Sequence, residues 1–135
     1  MKILRFPETL ALVRLPSGGE VPEWAESSSI FSITATATET SLVCAGRSVP
    51  RKAVHQKPYT AFEVEGPLDL ASTGVLVELL TPLAEAGISV LTVSTYDTQW
   101  ILVPTPDAEQ AGEEWRRRGH DVAPAQPVAP RRSQA

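Results

Sequence analysis

The clearest alternation of apolar and polar positions lies in the second half of the chain. Over residues 60–65, Phe62 and Val64 point one way and Glu63 and Glu65 the other, which predicts a strand closed by Gly66-Pro67. Over residues 74–86 the period changes. Leu76, Leu79, Leu80 and Leu83 fall on one helical stripe, with Glu78 and Glu85 off it. Gly87 stands where a left-handed C-terminal cap is wanted. Pro82 predicts a bend, because an interior proline costs a helix about 3 kcal/mol. Residues 88–96 are β-branched and mostly apolar, and residues 100–103 form a further strand pattern. Tyr96-Asp97-Thr98-Gln99 joins the two tightly. Thr105-Pro106-Asp107 then supplies an N-cap, a first-position proline and an early acid for a second helix. Its charges run from acids to Arg116, Arg117 and Arg118, as the helix macrodipole favours, and Gly119 stops it. Residues 120–123 add a short edge strand. Residues 59–123 therefore spell β-α-β-β-α-β, the split ferredoxin-like arrangement.

The first half carries a shortened version of the same pattern. Residues 9–15 predict a strand ended by Pro16-Ser17-Gly18-Gly19. Residues 22–26 have the length of about one helical turn, with Pro22 suited to its first position. Over residues 30–38, Phe31, Ile33, Ala35 and Ala37 share one face, and residues 41–45 return as the second arm of a hairpin. Residues 46–58 are basic and aperiodic and are expected to be a connecting loop. The expected division is 1–58 for an abbreviated unit with its loop, 59–123 for a full unit, and 124–135 for a proline-rich disordered tail.

A chain of 135 residues, 42% hydrophobic, can bury one compact core or two half-domains sharing one. No apolar run approaches the ~20 residues that span a bilayer, and the opening Met-Lys-Ile-Leu-Arg-Phe-Pro is too short for a secretory signal. The single Cys44 leaves no internal disulfide framework, so a cytoplasmic location is expected. Charge is uneven. Residues 1–58 hold seven Lys/Arg against five Asp/Glu, whereas residues 59–123 hold three against eleven. So acidic a second half disfavours a phosphate backbone as partner. In residues 88–93 and 100–103 both parities are apolar, so both sheet faces must meet protein. A sister unit or a homodimer partner would provide the second cover.

Several of these stretches carry a family resemblance. They are Val64-Glu65-Gly66-Pro67-Leu68-Asp69, Thr73-Gly74-Val75-Leu76, Pro82 to Val90, Ser94-Thr95-Tyr96-Asp97-Thr98 and Ile101-Leu102-Val103, with Leu12 to Pro16 and Phe31 to Thr34 in the first half. The chain resembles the ACT-domain proteins of the CASTOR-like, tandem-ACT kind over about residues 8–121. The resemblance implies an α+β fold of two ferredoxin-like ACT units, the first abbreviated, with sheets side by side. It further implies a regulatory protein that binds a small effector, an amino acid, at an interface between ACT units, without catalytic activity or cofactor. The alternative is a structural dimerisation or interaction module with a vestigial cleft. One departure matters. Where the family commonly has Thr-Asp-aromatic, this chain has Thr98-Gln99-Trp100, so arginine sensing does not carry across.

On that resemblance the ligand site comprises Asp69, Ser72, Thr73, Gly74 and Val75 at the helix start, Ile88 and Ser89 on the bordering strand, and Ser94, Thr95, Asp97 and Thr98 at the hairpin. Exposed N–H groups at a helix start suit a carboxylate, and Asp69 suits an ammonium group. The residues alone equally allow ordinary capping by Ser72 or Thr73, and hairpin hydroxyls that only satisfy the backbone. His55 and His120 show no metal-ligand spacing, and no phosphate loop or nucleophile elbow is present.

Overall fold

The structure, a computed structural model, describes residues 1–126 and 131–132. It divides into two compact units, one of Met1–Pro7 with Thr60–Ala125 and one of Glu8–Tyr59 with Gln126–Ala135. The division cuts through two long strands, β1 (Lys2–Leu15) and β5 (Val54–Val64), rather than falling between residues 58 and 59.

The unit built from Thr60–Ala125 and the first seven residues has a mixed, sheet-dominated fold. After β5 come α1 (Val75–Glu85), β6 (Leu91–Ser94), β7 (Gln99–Pro104), α2 (Ala108–Arg117) and β8 (Asp121–Pro124). The strands lie in the order β8-β1-β5-β7-β6. The expected edge strand after Gly119 therefore exists, but it pairs with β1, in parallel, from Lys2↔Asp121 to Arg5↔Pro124. The chain's first residues are a strand that the sequence did not suggest, because Pro7 cannot donate to a ladder and argues against one. Ile3 explains why it forms: its side chain is fully buried in the helix-covered core.

That core gathers Phe62 and Val64 from β5, Leu79 and Leu83 from α1, Ile101 and Val103 from β7, and Ala111 and Trp115 from α2. Phe62, Val64, Leu79 and Leu83 are the positions that the 2- and 3.6-residue periods selected. Trp115 meets Phe62 edge-on, with ring centroids 4.9 Å apart, and its indole N–H donates to the Leu79 carbonyl at 2.8 Å. α1 runs through Pro82, which is buried. The second helix departs from expectation at its start. Thr105–Asp107 form a 3₁₀ turn with no side-chain cap, and the Thr105 hydroxyl instead pairs with that of Thr60 at 3.0 Å. Trp100, Ile101, Leu102 and Val103 are all buried in the single chain. The double-sided apolar pattern there needs no second copy.

The other unit holds β2 (Glu26–Ser27), β3 (Ser32–Ala35) and β4 (Thr40–Ala45) besides its parts of β1 and β5, in the order β3-β4-β1-β5. The β3–β4 hairpin is antiparallel and matches the expected one. The expected helical turn over residues 22–26 is not a helix. The Ala25 N–H donates to the Pro22 carbonyl at 3.1 Å, closing a single turn before β2 begins. Five residues cannot repay the cost of helix nucleation. Ala25 is fully buried against Ala11, Val13, Leu42 and Cys44. Among its described residues this unit has no α-helix, so the abbreviated ferredoxin-like reading of the first half is corrected. The expected loop over 46–58 also ends early, at Ala53, since β5 starts at Val54.

A buried carboxylate organises this unit. Glu8, its side chain 3% exposed, accepts six hydrogen bonds. Burial pushes its pKa up, but donation by Ser27, Ser29, Arg47 and the Ser28 N–H outweighs that and brings it to about 2. Nearby Cys44 is pushed up to about 11, by burial and then by the Glu8 charge, which makes it an inert core thiol.

Part of the expected disordered tail has structure. Pro124 ends β8, the Ala125 N–H donates to the Arg5 carbonyl at 2.8 Å, and Arg131–Arg132 (β9) pair antiparallel with β2. The remainder of that expectation, residues 127–130 and 133–135, lies outside the described residues.

Candidate functional site

β5 ends at Val64, and the chain reaches α1 through a connection pressed against the turn between β6 and β7. The Leu68 N–H donates to the Asp97 carbonyl at 2.7 Å. A Cβ on Gly66 would lie 2.7 Å from that same carbonyl oxygen and 3.3 Å from the Thr98 Cβ. Only glycine permits this approach. Gly66→Ala is therefore expected to push the two segments apart, lowering stability by about 1–3 kcal/mol. Thermal unfolding measures the loss, which should exceed that of Gly112→Ala, where the nearest atoms are 3.7 Å from the added carbon.

Between the two segments lies a small hollow of about 70 Å³, lined by Leu68, Asp69, Leu70, Ser72, Val75, Thr95, Asp97, Thr98 and Gln99. Of the residues expected from sequence, it brings together Asp69, Ser72, Val75, Thr95, Asp97 and Thr98. Thr73 and Gly74 lie between Ser72 and Val75 in the chain but do not line it. Ile88, Ser89 and Ser94 lie outside it, Ile88 being a member of the helix-covered core. The sequence reading missed Leu68 and Leu70 as lining residues. It noted Gln99 only as a departure from the family pattern. Leu70 is 69% exposed, and its signal was an apolar residue inside an otherwise polar connection.

The hydrogen bonds separate structural from available groups. The Thr98 hydroxyl, buried, donates to the Val64 carbonyl, and the Thr98 N–H donates to the Thr95 hydroxyl at 3.1 Å. The Thr95 N–H donates to the Thr98 carbonyl at 2.8 Å. Ser94 donates to the Gln99 side-chain oxygen at 2.7 Å. These hydroxyls hold the hairpin together. Asp69 accepts the Ala71 N–H on one oxygen at 2.9 Å, a turn contact that leaves the other oxygen uncommitted among the described residues. The Asp97 side chain accepts no hydrogen bond from them.

Capping of α1 by Ser72 or Thr73 does not occur. Gly74 occupies the cap position with φ +79° and no side chain reaches the first N–H groups. A left-handed cap residue favours glycine, and the uncapped turn leaves N–H donors and the positive dipole end beside the hollow.

A second hollow adjoins the first through Asp97 and Thr98, and adds Glu63 and Glu65. The Glu63 carboxyl is held above its ordinary value by burial, then by the Glu65 and Asp97 charges. Lys2 stands 3.9 Å from Glu65. The region as a whole is negative, which suits a cationic group, whereas the start of α1 carries the positive end of the helix dipole. No group of three or more His, Cys, Asp or Glu suited to a metal ion occurs among the described residues. No helix among them is long and apolar enough to cross a membrane.

Comparison with known proteins bears on the fold and on the family of one segment. A crystal structure of a protein from Agobacterium tumefaciens is 27% identical, with a TM-score of 0.85 over 93% of this chain and 94% of that one. A Vibrio cholerae protein of unknown function, described as a possible transport protein, is 15% identical with a TM-score of 0.69 over 86% and 88%. The regulatory subunit of aspartate kinase from Thermus flavus is 10% identical with a TM-score of 0.60 over 87% and 96%. The last two likenesses concern the fold alone. No curated protein matches the chain. Residues 8–52 match a family described as an N-terminal domain. Residues 54–113, which include both walls of the hollow, match the ACT-domain family, and the chain thus contains an ACT domain.

Proposed function

We propose that this chain is a regulatory protein of the CASTOR-like, tandem-ACT kind that binds a small zwitterionic molecule, an amino acid, in the hollow between the α1 start and the 95–98 turn. The observation that carries this reading is the pairing of opposite polarities at that hollow. Val75, at the uncapped start of α1, lines it on one wall together with the Asp69 carboxylate, and Asp97 lines the opposite wall. A ligand carboxylate takes the N–H groups at the start of α1 and its ammonium the Asp69 and Asp97 carboxylates. The regulatory fold of the aspartate kinase subunit supports a sensing role, as does the ACT match itself. In this reading the protein is cytoplasmic, has no catalytic cofactor and turns over no substrate.

The size of the hollow bears on assembly. Sites that enclose small ligands hold about 300–1,000 Å³, against about 70 Å³ here. A ligand held by this wall alone stays largely in water, and a second protein surface, in a homodimer, completes the site. The same small size favours the alternative of an interaction module with a vestigial cleft. A thermal-shift screen across the amino acids separates the two. A specific ligand at 100 times its Kd stabilises by about 2.7 kcal/mol, and Asp69→Ala should weaken its binding by roughly ten- to a hundredfold while leaving the fold intact. Unchanged affinity in Asp69→Ala removes this placement. No shift with any amino acid leaves the interaction module.

A further inference from the structure

The six donors around Glu8 divide evenly. One carboxylate oxygen receives the Ser27 hydroxyl at 2.6 Å, the Ser29 hydroxyl at 2.6 Å and the Ser29 N–H at 3.1 Å. The other receives the Ser28 hydroxyl and N–H, each at 2.8 Å, and the Arg47 guanidinium at 2.6 Å. Three consecutive serines thus give both side chain and main chain to a single acid, although Ser27 spends only its hydroxyl on it. Glu26, just before the serines, forms an ion pair with Arg47 at 3.4 Å. The five donors of Ser27–Ser29 that converge on Glu8 match an anion with two coplanar oxygens. The acid that fills the turn comes from a different strand, nineteen or more residues away in sequence.

We propose that the Ser27–Ser29 turn with Arg47 is a carboxylate receptor that the chain keeps occupied with its own Glu8. The receptor accepts a free carboxylate in place of Glu8 whenever that side chain is withdrawn. The three-plus-three arrangement of donors matches the two oxygens of a planar carboxylate, in preference to tetrahedral phosphate, which has further oxygens to place, and to chloride, which has no second acceptor atom. Strength comes from charge-assisted bonds made in a site shielded from water. In the intact chain the tethered acid outcompetes any dissolved one, as intramolecular ligands do at high effective concentration. The site is silent until the β1 segment bearing Glu8 moves or is altered. This inference does not depend on the ACT-domain hollow being a ligand site.

Glu8→Ala in the full chain empties the receptor, and the probes are sodium formate, acetate, phosphate and chloride at equal ionic strength. The variant should unfold at lower temperature than the parent chain, and formate and acetate should raise its midpoint saturably while phosphate and chloride do not. The parent chain should show no such response. In the double variant Glu8→Ala/Ser27→Ala, the formate concentration for half effect should rise about tenfold, as loss of one charge-assisted bond implies. If Glu8→Ala is unfolded in buffer, formate should refold it, read by circular dichroism. A folded Glu8→Ala that ignores formate and acetate, or an unfolded one that they do not restore, overturns the proposal. So does equal stabilisation by chloride.

Discussion

Trp115→Ala is expected to cost about 3–5 kcal/mol, the range for removing a large aromatic side chain from a core. Trp115 is fully buried, packs edge-on against Phe62 and gives its indole N–H to the Leu79 carbonyl. It thereby ties α2 to α1 and to β5, the strand that leads into the hollow. Truncation leaves a cavity and removes a donor from a buried carbonyl, two penalties that fall on the same helix pair. Trp115→Phe separates them. It keeps most of the ring volume, loses the hydrogen bond, and should cost about 1–2 kcal/mol. Urea denaturation measures both. A Trp115→Ala loss below about 1 kcal/mol would show that α2 contributes little to the stability of this unit.

The second large effect depends on pH. Glu8 has an ordinary value of 4.5 and is brought to about 2 in the folded chain. Because the folded value is the lower one, Glu8 contributes its full stabilisation above the unfolded value. That contribution is lost as pH falls from about 4.5 to about 2. Its size, about 3 kcal/mol at neutral pH, follows from that difference. The Glu8 side chain is almost wholly shielded from water, while its partner Arg47 is half exposed. Glu8→Gln keeps the shape, loses the charge and turns an amide N–H₂ toward a ring of donors. It should destabilise strongly at pH 7, and the difference from the parent chain should shrink steadily toward pH 2. A gap that stays constant over that range would mean that Glu8 acts by packing alone.

Sequence periodicity revealed the unit that contains the hollow because packing there follows period. Phe62 and Val64 alternate, and Leu79 and Leu83 recur at helical spacing, each burying the face that the pattern indicates. The opening part of β1, before the expected strand at residues 9–15, was illegible for a local reason. Pro7 interrupts it, while what keeps residues 2–5 in the sheet is the distant partner segment 121–124. The missing first-half helix has a similar cause. Residues 22–26 have helical letters, but tertiary burial of Ala25 and the pull of Ser27–Ser29 toward Glu8 decide their conformation. Glu8 gave no signal at all, since a single acid between Pro7 and Thr9 reads as a surface residue until its six donors converge.

The candidate site was legible in part. Residues near Asp69 and the 95–98 turn share a hollow because Gly66 allows the two segments to touch, and that glycine appeared in sequence only as a strand terminator. Hydroxyl roles were not legible. Ser94 and Thr98 look like ligand groups in the sequence, and in the folded chain their hydroxyls donate to Gln99 and to the Val64 carbonyl. Conversely, no side chain caps α1 at Gly74, so the N–H donors that capping by Ser72 or Thr73 would have taken stay available.

Amide chemical-shift mapping of the ¹⁵N-labelled chain, with each amino acid added in turn at millimolar concentration, tests the ligand site most directly. One amino acid should give saturable shifts centred on residues 68–77 and 95–99, the two walls of the hollow, and Asp69→Ala should abolish saturation at the same concentrations. Saturable shifts confined to other residues, or none with any amino acid, would contradict a ligand site at the start of α1.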